Sequence, residues 1–302
     1  MSLSVLILTF NEEMNIPRCL RSVAWSDDVV VVDSGSTDHT VEIAEAMGAR
    51  VLQRPFDDFA HQRNWGLDQA GFRHSWVLHL DADEVVPPEM HEELLAVTRE
   101  DRFAAYRMSL KLMFQDRWIR RASMFPAYQV RLGLRDRLRF RMEGHGQREN
   151  LPIEEVGTLE TSLLHYSFEK GITDWFEKHN RYSSAEAVES LRRREQPGQS
   201  LWGLFSLDRG TRWRALKNVS SRLPFRPFFR FLYMAFVRRG LLDGVAGLHY
   251  CLLVVIYEYM IVLKEKELRQ RAQAENRSEM PHPQPANPHR PTELALTAGE
   301  AK

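Results

Sequence analysis

Asp81 and Asp83 stand one residue apart at the end of Trp76-Val77-Leu78-His79-Leu80. In an extended chain, residues two apart point to the same side. Two carboxylates so placed suit one hard cation, Mg²⁺ or Mn²⁺, with water and substrate phosphates completing its shell. A second acid, Asp33, ends the run Val29-Val30-Val31-Val32 and leads into Ser34-Gly35-Ser36-Thr37-Asp38. A third polar terminus, Thr9-Phe10-Asn11-Glu12, follows Leu3 to Leu8. Further on, Phe140 to Glu149 gathers Glu143, His145 and Glu149 around two glycines, which fits a site loop.

The elements that must position these residues read clearly. The runs at 3–10, 29–33 and 76–80 are apolar without alternation, as expected of strands buried on both faces of a parallel sheet. Val51-Leu52 is a shorter strand of the same kind. Helical spacing follows each: Ile16, Leu20 and Val23 on one face, a helix capped by Ser36 and stopped by Gly48, and another from Asp57 to Ala70. The first 90 residues therefore form an α/β domain with a mostly parallel sheet, flanked by helices. Ligands of such sheets bind beyond the carboxyl ends of the strands, where all three polar termini fall. Neither G-x-G-x-x-G nor a P-loop is present, which argues against dinucleotide and P-loop chemistry. Phe103 to Phe114 and Ala127 to Leu134 read as additional strands, and Trp175 to Leu191 as a helix.

The whole chain adds bounds. It has 302 residues, with Lys+Arg and Asp+Glu equal at 41. Two cysteines, Cys19 and Cys251, make no disulfide framework or zinc pattern and favour a reducing cytoplasmic setting. The N-terminus lacks the pattern of a signal peptide. Between residues 178 and 239 there are fourteen Lys/Arg against four Asp/Glu, interleaved with aromatics in Leu223 to Tyr233. That pattern suits an anionic membrane surface; nucleic acid is the other ligand class for such a patch, and it is not expected here. Leu241 to Leu263 is apolar and nearly long enough to cross a bilayer, yet it carries Asp243, His249 and Glu258. A helix in the interface or packed on the protein is expected rather than a span. The expected divisions are 1–150 for the catalytic domain, 151–220 for a helical acceptor-side extension, 221–265 for membrane-associating helices and 266–302 for a disordered tail.

Four segments in order resemble family 2 glycosyltransferases of the GT-A fold: Leu8-Thr9-Phe10-Asn11-Glu12, Val32-Asp33-Ser34-Gly35-Ser36-Thr37-Asp38, His61-Gln62-Arg63-Asn64-Trp65-Gly66 and Asp81-Ala82-Asp83. His165-Tyr166-Ser167, Asn180-Arg181-Tyr182-Ser183 and Gly240-Leu241-Leu242-Asp243-Gly244 are similar to segments of the lipopolysaccharide-core and related cell-envelope members. The resemblance covers roughly residues 3 to 265 and implies an inverting, metal-dependent transferase. It implies a nucleotide-sugar donor bound by Thr9, Asn11, Glu12, Asp33, Ser34, Arg63, Asn64 and Asp81, and Mg²⁺ or Mn²⁺ held by Asp83 with Asp81. The acceptor would be lipid-linked or of lipopolysaccharide type, at the inner face of the cytoplasmic membrane. That group often carries V-H-E where this chain has Gly144-His145-Gly146. The general base therefore stays open between Glu143, Glu149 and His145. Two rivals are a haloacid-dehalogenase-type phosphatase using Asp81-Ala82-Asp83-Glu84-Val85, which lacks a convincing downstream acidic pair, and a non-catalytic metal- or membrane-binding module.

Overall fold

A computed structural model describes residues 2–195, apart from 101, 144 and 145, and 225–279, together with residues 206, 208 and 212. Strands β1 (Ser4–Thr9), β2 (Val29–Asp33), β3 (Arg50–Gln53) and β4 (Trp76–Asp81) alternate with helices α1 (Ile16–Ser22), α2 (Thr40–Ala46) and α3 (Phe59–Gln69). They pair in parallel in the order β3-β2-β1-β4. Beyond β4 the sheet turns mixed. The strands β5 (Glu84–Val85), β6 (Ala105–Phe114), β8 (Tyr128–Leu134) and β12 (Leu163–His165) extend it as β4-β8-β6-β12-β5, with β4–β8 and β8–β6 antiparallel. Helix α4 (Pro88–Glu100) lies between β5 and β6 in the chain; β7 (Arg117–Trp118) and β11 (Val156–Thr158) pair with β6. A separate hairpin joins β9 (Phe140–Glu143) to β10 (Gly146–Glu149).

Alternation along β1 divides the core. Leu3, Val5 and Ile7 pack with Ile16, Cys19, Leu20, Met90 and Leu94, whereas Leu6 and Leu8 pack with Leu67, Ala70 and Phe72. The sheet is thus covered on both faces, and the uninterrupted apolar runs follow from that. Each fully buried Leu, Ile or Val contributes about 1.5–3 kcal/mol. Gly66 has a steric reason: a Cβ there would lie 3.0 Å from both Leu6 methyls, so any larger residue would push α3 off β1.

The C-terminal part comprises α5 (Gly171–Glu195), α6 (Arg226–Leu232), a π-helical turn (Tyr233–Val237), a 3-10 turn (Gly240–Asp243) and α7 (Gly244–Glu279). It packs on the β6–β7 region through Phe114, Ile119, Ala122, Trp175, Met234 and Cys251. Helix α7 continues through residues 266–279, where a disordered tail was expected; Glu-Leu-Arg-Gln-Arg-Ala-Gln-Ala is charged but strongly helix-forming. The three ionisable groups of 241–263 all have protein partners. Asp243 accepts from the Arg121 and Ala122 amides at 2.7 and 2.9 Å, His249 Nδ1 lies 3.3 Å from Gln115 Oε1, and Glu258 pairs with Arg226. By length and composition α7 could cross a membrane, although about a quarter of its apolar window (28%) is buried against the protein.

Candidate active site

Register brings the polar termini together. Thr9 pairs with Asp33 and Leu8 with Asp81, so Asp33 and Asp81 flank β1 on its two sides at one carboxyl edge. Two strand spacings separate them, about 10 Å. The loop after β1 is laced to the loop after β2. Asn11, at φ 52°, donates its N–H to Ser36 Oγ (2.8 Å) and accepts from the Thr37 N–H (2.7 Å), and the Glu12 N–H donates to Thr40 Oγ1 (2.7 Å). Asp33 is completely buried. Its Oδ2 accepts the Gly35 and Ser36 amides, both at 2.9 Å, and its Oδ1 accepts from the Ser36 hydroxyl. In this state Asp33 shapes the turn rather than offering the open carboxylate expected for a nucleoside. Ser36 is occupied there too and does not cap α2; Asp38 accepts the Thr40 N–H at that end (3.0 Å). Ser34 Oγ accepts from Gln62 (3.1 Å), and the Thr9 hydroxyl is buried without a partner.

Beneath Asp81 lies a buried ionic cluster. Arg63 and Arg131 are 1% and 2% exposed. Arg63 Nη2 donates to Asp81 Oδ1 at 2.6 Å, while Arg131 Nη2 donates to Asp81 Oδ2 at 2.7 Å and to Glu84 Oε1 at 2.5 Å. Burial works to raise the Asp81 carboxyl, but Arg131 and Arg63 override it and hold the group well below the usual carboxylate range. Burial pushes Arg63 down to about 10 and raises Glu84. Each Asp81 oxygen thus accepts from one guanidinium group, and the carboxylate keeps about a third of its surface exposed. Arg63 is buried rather than facing out toward a diphosphate, although its Nη1 has no partner. Asn64 is spent on structure: its amide donates to the Phe140 carbonyl (2.8 Å) and accepts the Phe140 N–H (2.9 Å), tying α3 to β9.

Asp83 faces His165 instead. Oδ2 of Asp83 and Nε2 of His165 are 3.2 Å apart, and the Asp83 carbonyl accepts the Tyr166 N–H (2.8 Å). Burial opposes charge on both, yet the pairing lowers Asp83 and pushes His165 up to about 9. Five residues on, Lys170 pairs with Glu12 at 2.5 Å, across from β1. Burial nevertheless raises Glu12.

The hairpin holds the expected bases. Gln147 Oε1 accepts from Arg63 Nε at 3.1 Å, fixing β10 at the level of Asp81. Glu149 pairs with Phe140, itself bonded to Asn64, so Glu149 sits at the foot of the hairpin below that level. Glu143 is beside the tip, half-exposed, with Arg148 at 3.2 Å. His145 lies outside the described residues. The sequence reading did not single out Arg131, Glu84, Gln147 or Lys170, and it placed His165 only within a motif. One signal was available for Arg131, a lone charge among the apolar residues Val130 and Leu132 of a strand.

Taken together, these features define a mixed-sheet α/β protein of GT-A type whose polar strand termini meet at the carboxyl edge of its parallel half. Residues 4–154, half of the chain, match the family model Glycosyl transferase family 2, and the chain belongs to that family. An uncharacterized glycosyltransferase of Rickettsia bellii is 29% identical over 223 residues, 67% of this chain and 74% of that one. The lipopolysaccharide core biosynthesis glycosyltransferase LpsC of Rhizobium meliloti is 26% identical over 204 residues, 65% and 74% of the two chains. An uncharacterized glycosyltransferase of Rickettsia typhi is 37% identical over 117 residues, which span only 37% of this chain and 39% of that relative. Among solved structures, Staphylococcus aureus TarS 1–349 in complex with UDP-GlcNAc aligns over 89% of this chain and 92% of its own, with TM-score 0.41 and 18% identity.

Proposed function

We propose that the protein transfers a sugar from a nucleotide-activated donor to a hydroxyl of a lipid-linked or lipopolysaccharide-type acceptor, inverting the anomeric carbon. One observation carries this reading: within a family 2 chain, a cluster of buried charges stands under the carboxyl edge of β1 and β4, with unmade hydrogen bonds on Arg63 Nη1, Arg131 and Thr9. Thr9, Asn11, Glu12, Asp33 and Ser34 form the nucleoside side, with Asp33 acting through the turn it organises. Arg63 and Arg131 serve the diphosphate end by holding Asp81 in place. The acceptor oxygen bonds to the anomeric carbon as the bond to the diphosphate breaks, and the hydroxyl proton passes to a base. Glu143 is assigned that role because it stands at the hairpin tip, whereas Glu149 lies at its foot; His145 adjoins Glu143 in sequence.

The donor set bears on a divalent cation. The Asp83 carboxylate is a hard oxygen donor of the kind that suits Mg²⁺ or Mn²⁺, and His165 Nε2 lies 3.2 Å from it. Asp83 and His165 would hold the ion, with Asp81 behind them, and it would supply positive charge for the departing diphosphate. His165 would have to give up its proton to join the ligand set. The rival phosphatase reading needs Asp81 as a nucleophile, and that carboxylate is clamped by two arginines.

The test is hydrolysis and transfer from UDP-, GDP- and ADP-sugars with Mn²⁺. Asp83→Asn should cut turnover about 10²-fold or more, with the fold retained by circular dichroism. Near-normal turnover of the variant at saturating metal would remove Asp83 from the reaction.

The protein would work on the cytoplasmic membrane surface. Phe225, Phe228, Phe236, Val237, Leu242 and Val245 are each more than half exposed (57–78%), beside Arg226, Arg230, Arg238 and Arg239. Much of the basic stretch between 196 and 224 lies outside the described residues. Phe236→Ser with Phe228→Ser should weaken co-sedimentation with anionic vesicles about tenfold or more; unchanged co-sedimentation would refute this placement.

A further inference from the structure

The segment from β12 to the start of α5 does two things at once. At its ends it touches the donor side: His165 meets Asp83, and Lys170 meets Glu12 while donating to the Phe10 carbonyl at 3.3 Å. Between those anchors it turns outward and forms one wall of a cleft of about 320 Å³. The opposite wall is the end of β6 and the turn into β7, where Gln115 and Asp116 both adopt positive φ (51° and 57°), as a two-residue hairpin turn requires. The pairing of His165 with Leu112 on β6 sets the two walls side by side.

The lining has a definite chemistry. Tyr166 supplies ring surface, Phe114 closes the floor with only 5% of its surface exposed, and Ile172, 44% exposed, supplies an aliphatic rim. Gln115, Asp116 and Glu169 supply an amide and two carboxylates. No lysine or arginine lines the cleft among the described residues, so a phosphate or other anion has no countercharge there. Arg18 stands outside, 4.1 Å from the Tyr166 ring centroid and paired with Glu169 at 3.3 Å, and it fixes both side chains in place. Ring faces with acceptor-rich polar groups at the rim match a neutral polyhydroxylated ring, whose C–H face is apolar and whose edge donates hydrogen bonds. The volume is at the lower end of small-ligand sites.

We infer that this cleft is a saccharide subsite, seating one neutral pyranose unit of the acceptor one residue away from the Asp83–His165 pair. The inference rests on the transferase reading and adds where the acceptor glycan lies and what class of ring it presents. The phosphate or lipid portion of an acceptor is excluded from the cleft and must lie elsewhere.

The full chain is titrated by saturation-transfer NMR with methyl glycosides of glucose, galactose and N-acetylglucosamine at millimolar concentration, with and without saturating UDP and Mn²⁺. Transfer to the pyranose ring protons should survive UDP and fall at least fivefold in Ile172→Trp, which fills the cleft. Asp116→Asn, tolerated at positive φ, gives a second variant should Ile172→Trp misfold, and it should reduce the signal at least twofold. Absence of signal for all three glycosides, displacement by UDP, or a signal indifferent to both variants would overturn the subsite. UDP binding, read separately by thermal shift, tests the donor reading. UDP binding without a cleft-dependent saccharide signal refutes the subsite alone, whereas loss of UDP binding strikes at the transferase reading.

Discussion

The two ends of the parallel sheet each hold an aspartate in place, Asp28 buried and Asp81 about a third exposed, and they treat it differently. At the amino edge Asp28 is completed by its own neighbours. Ser4 Oγ donates to it at 2.5 Å, the Arg73 N–H at 2.7 Å, and Arg50 Nη2 at 2.7 Å. At the carboxyl edge Asp81 is also paired, but the groups around it are left with work undone. Arg63 Nη1, Arg131 Nε and Nη1, both ring nitrogens of His79 and the Thr9 hydroxyl are buried without partners. An unmade hydrogen bond in a buried group costs about 1–3 kcal/mol. Native proteins keep few of these, and they call for an explanation. The amino edge is completed by its own side chains; the carboxyl edge keeps buried donors that its own side chains leave unused.

Removing a member from each end tests that contrast. Arg131→Met leaves buried Glu84 and neighbouring Asp81 with one cation fewer. Breaking a buried pair on one side costs about 3–5 kcal/mol, so the urea midpoint should fall sharply, and a nucleotide-sugar should raise the midpoint of the parent but not that of the variant. Asp28→Ala strands the Ser4 hydroxyl and the Arg73 amide and should cost about 1–3 kcal/mol, with turnover per folded molecule unaltered. Equal effects of both variants on turnover would erase the distinction between the two edges.

How far the sequence could be read follows the same division. The strands β1, β2 and β4 were legible because burial on both faces demands unbroken apolar runs. Asp81 and Asp83 were legible by their spacing. What could not be read was pairing across the sheet. Arg131 meets Asp81 only because β8 runs antiparallel beside β4, an adjacency 50 residues apart in sequence. Asn64 and Asp33 belong to motifs, yet motif membership does not distinguish a side chain that holds a ligand from one that holds a turn or a neighbouring strand. The proline-rich composition that argues for disorder begins only after Glu279, and the helix-forming residues of 266–279 carry the helix to that point.

A smaller effect sharpens the comparison through pH. His165 is raised from its ordinary 6.5 to about 9 by Asp83, Glu84 and Asp81 against the opposing effect of burial. A group whose pKa rises on folding stabilises the fold fully below its unfolded value and loses that contribution as the pH climbs through its folded value. In metal-free protein the His165–Asp83 pair should therefore add about 1–2 kcal/mol below pH 6.5, a figure reduced for the 30% exposure of the imidazole, and lose it between pH 6.5 and 9. Asp28 adds no pH dependence in that window, because its pKa is lowered from the carboxylate value and its contribution is already complete there. Thermal melts of the parent and of His165→Asn across pH 6–9 in chelator separate the histidine from every other titrating group. Their difference should shrink as the pH rises. Saturating Mn²⁺ should flatten the parent's decline, because an ion held by Asp83 and His165 takes over from the proton; a parallel pair of curves in chelator would show that His165 gains no proton from this pairing.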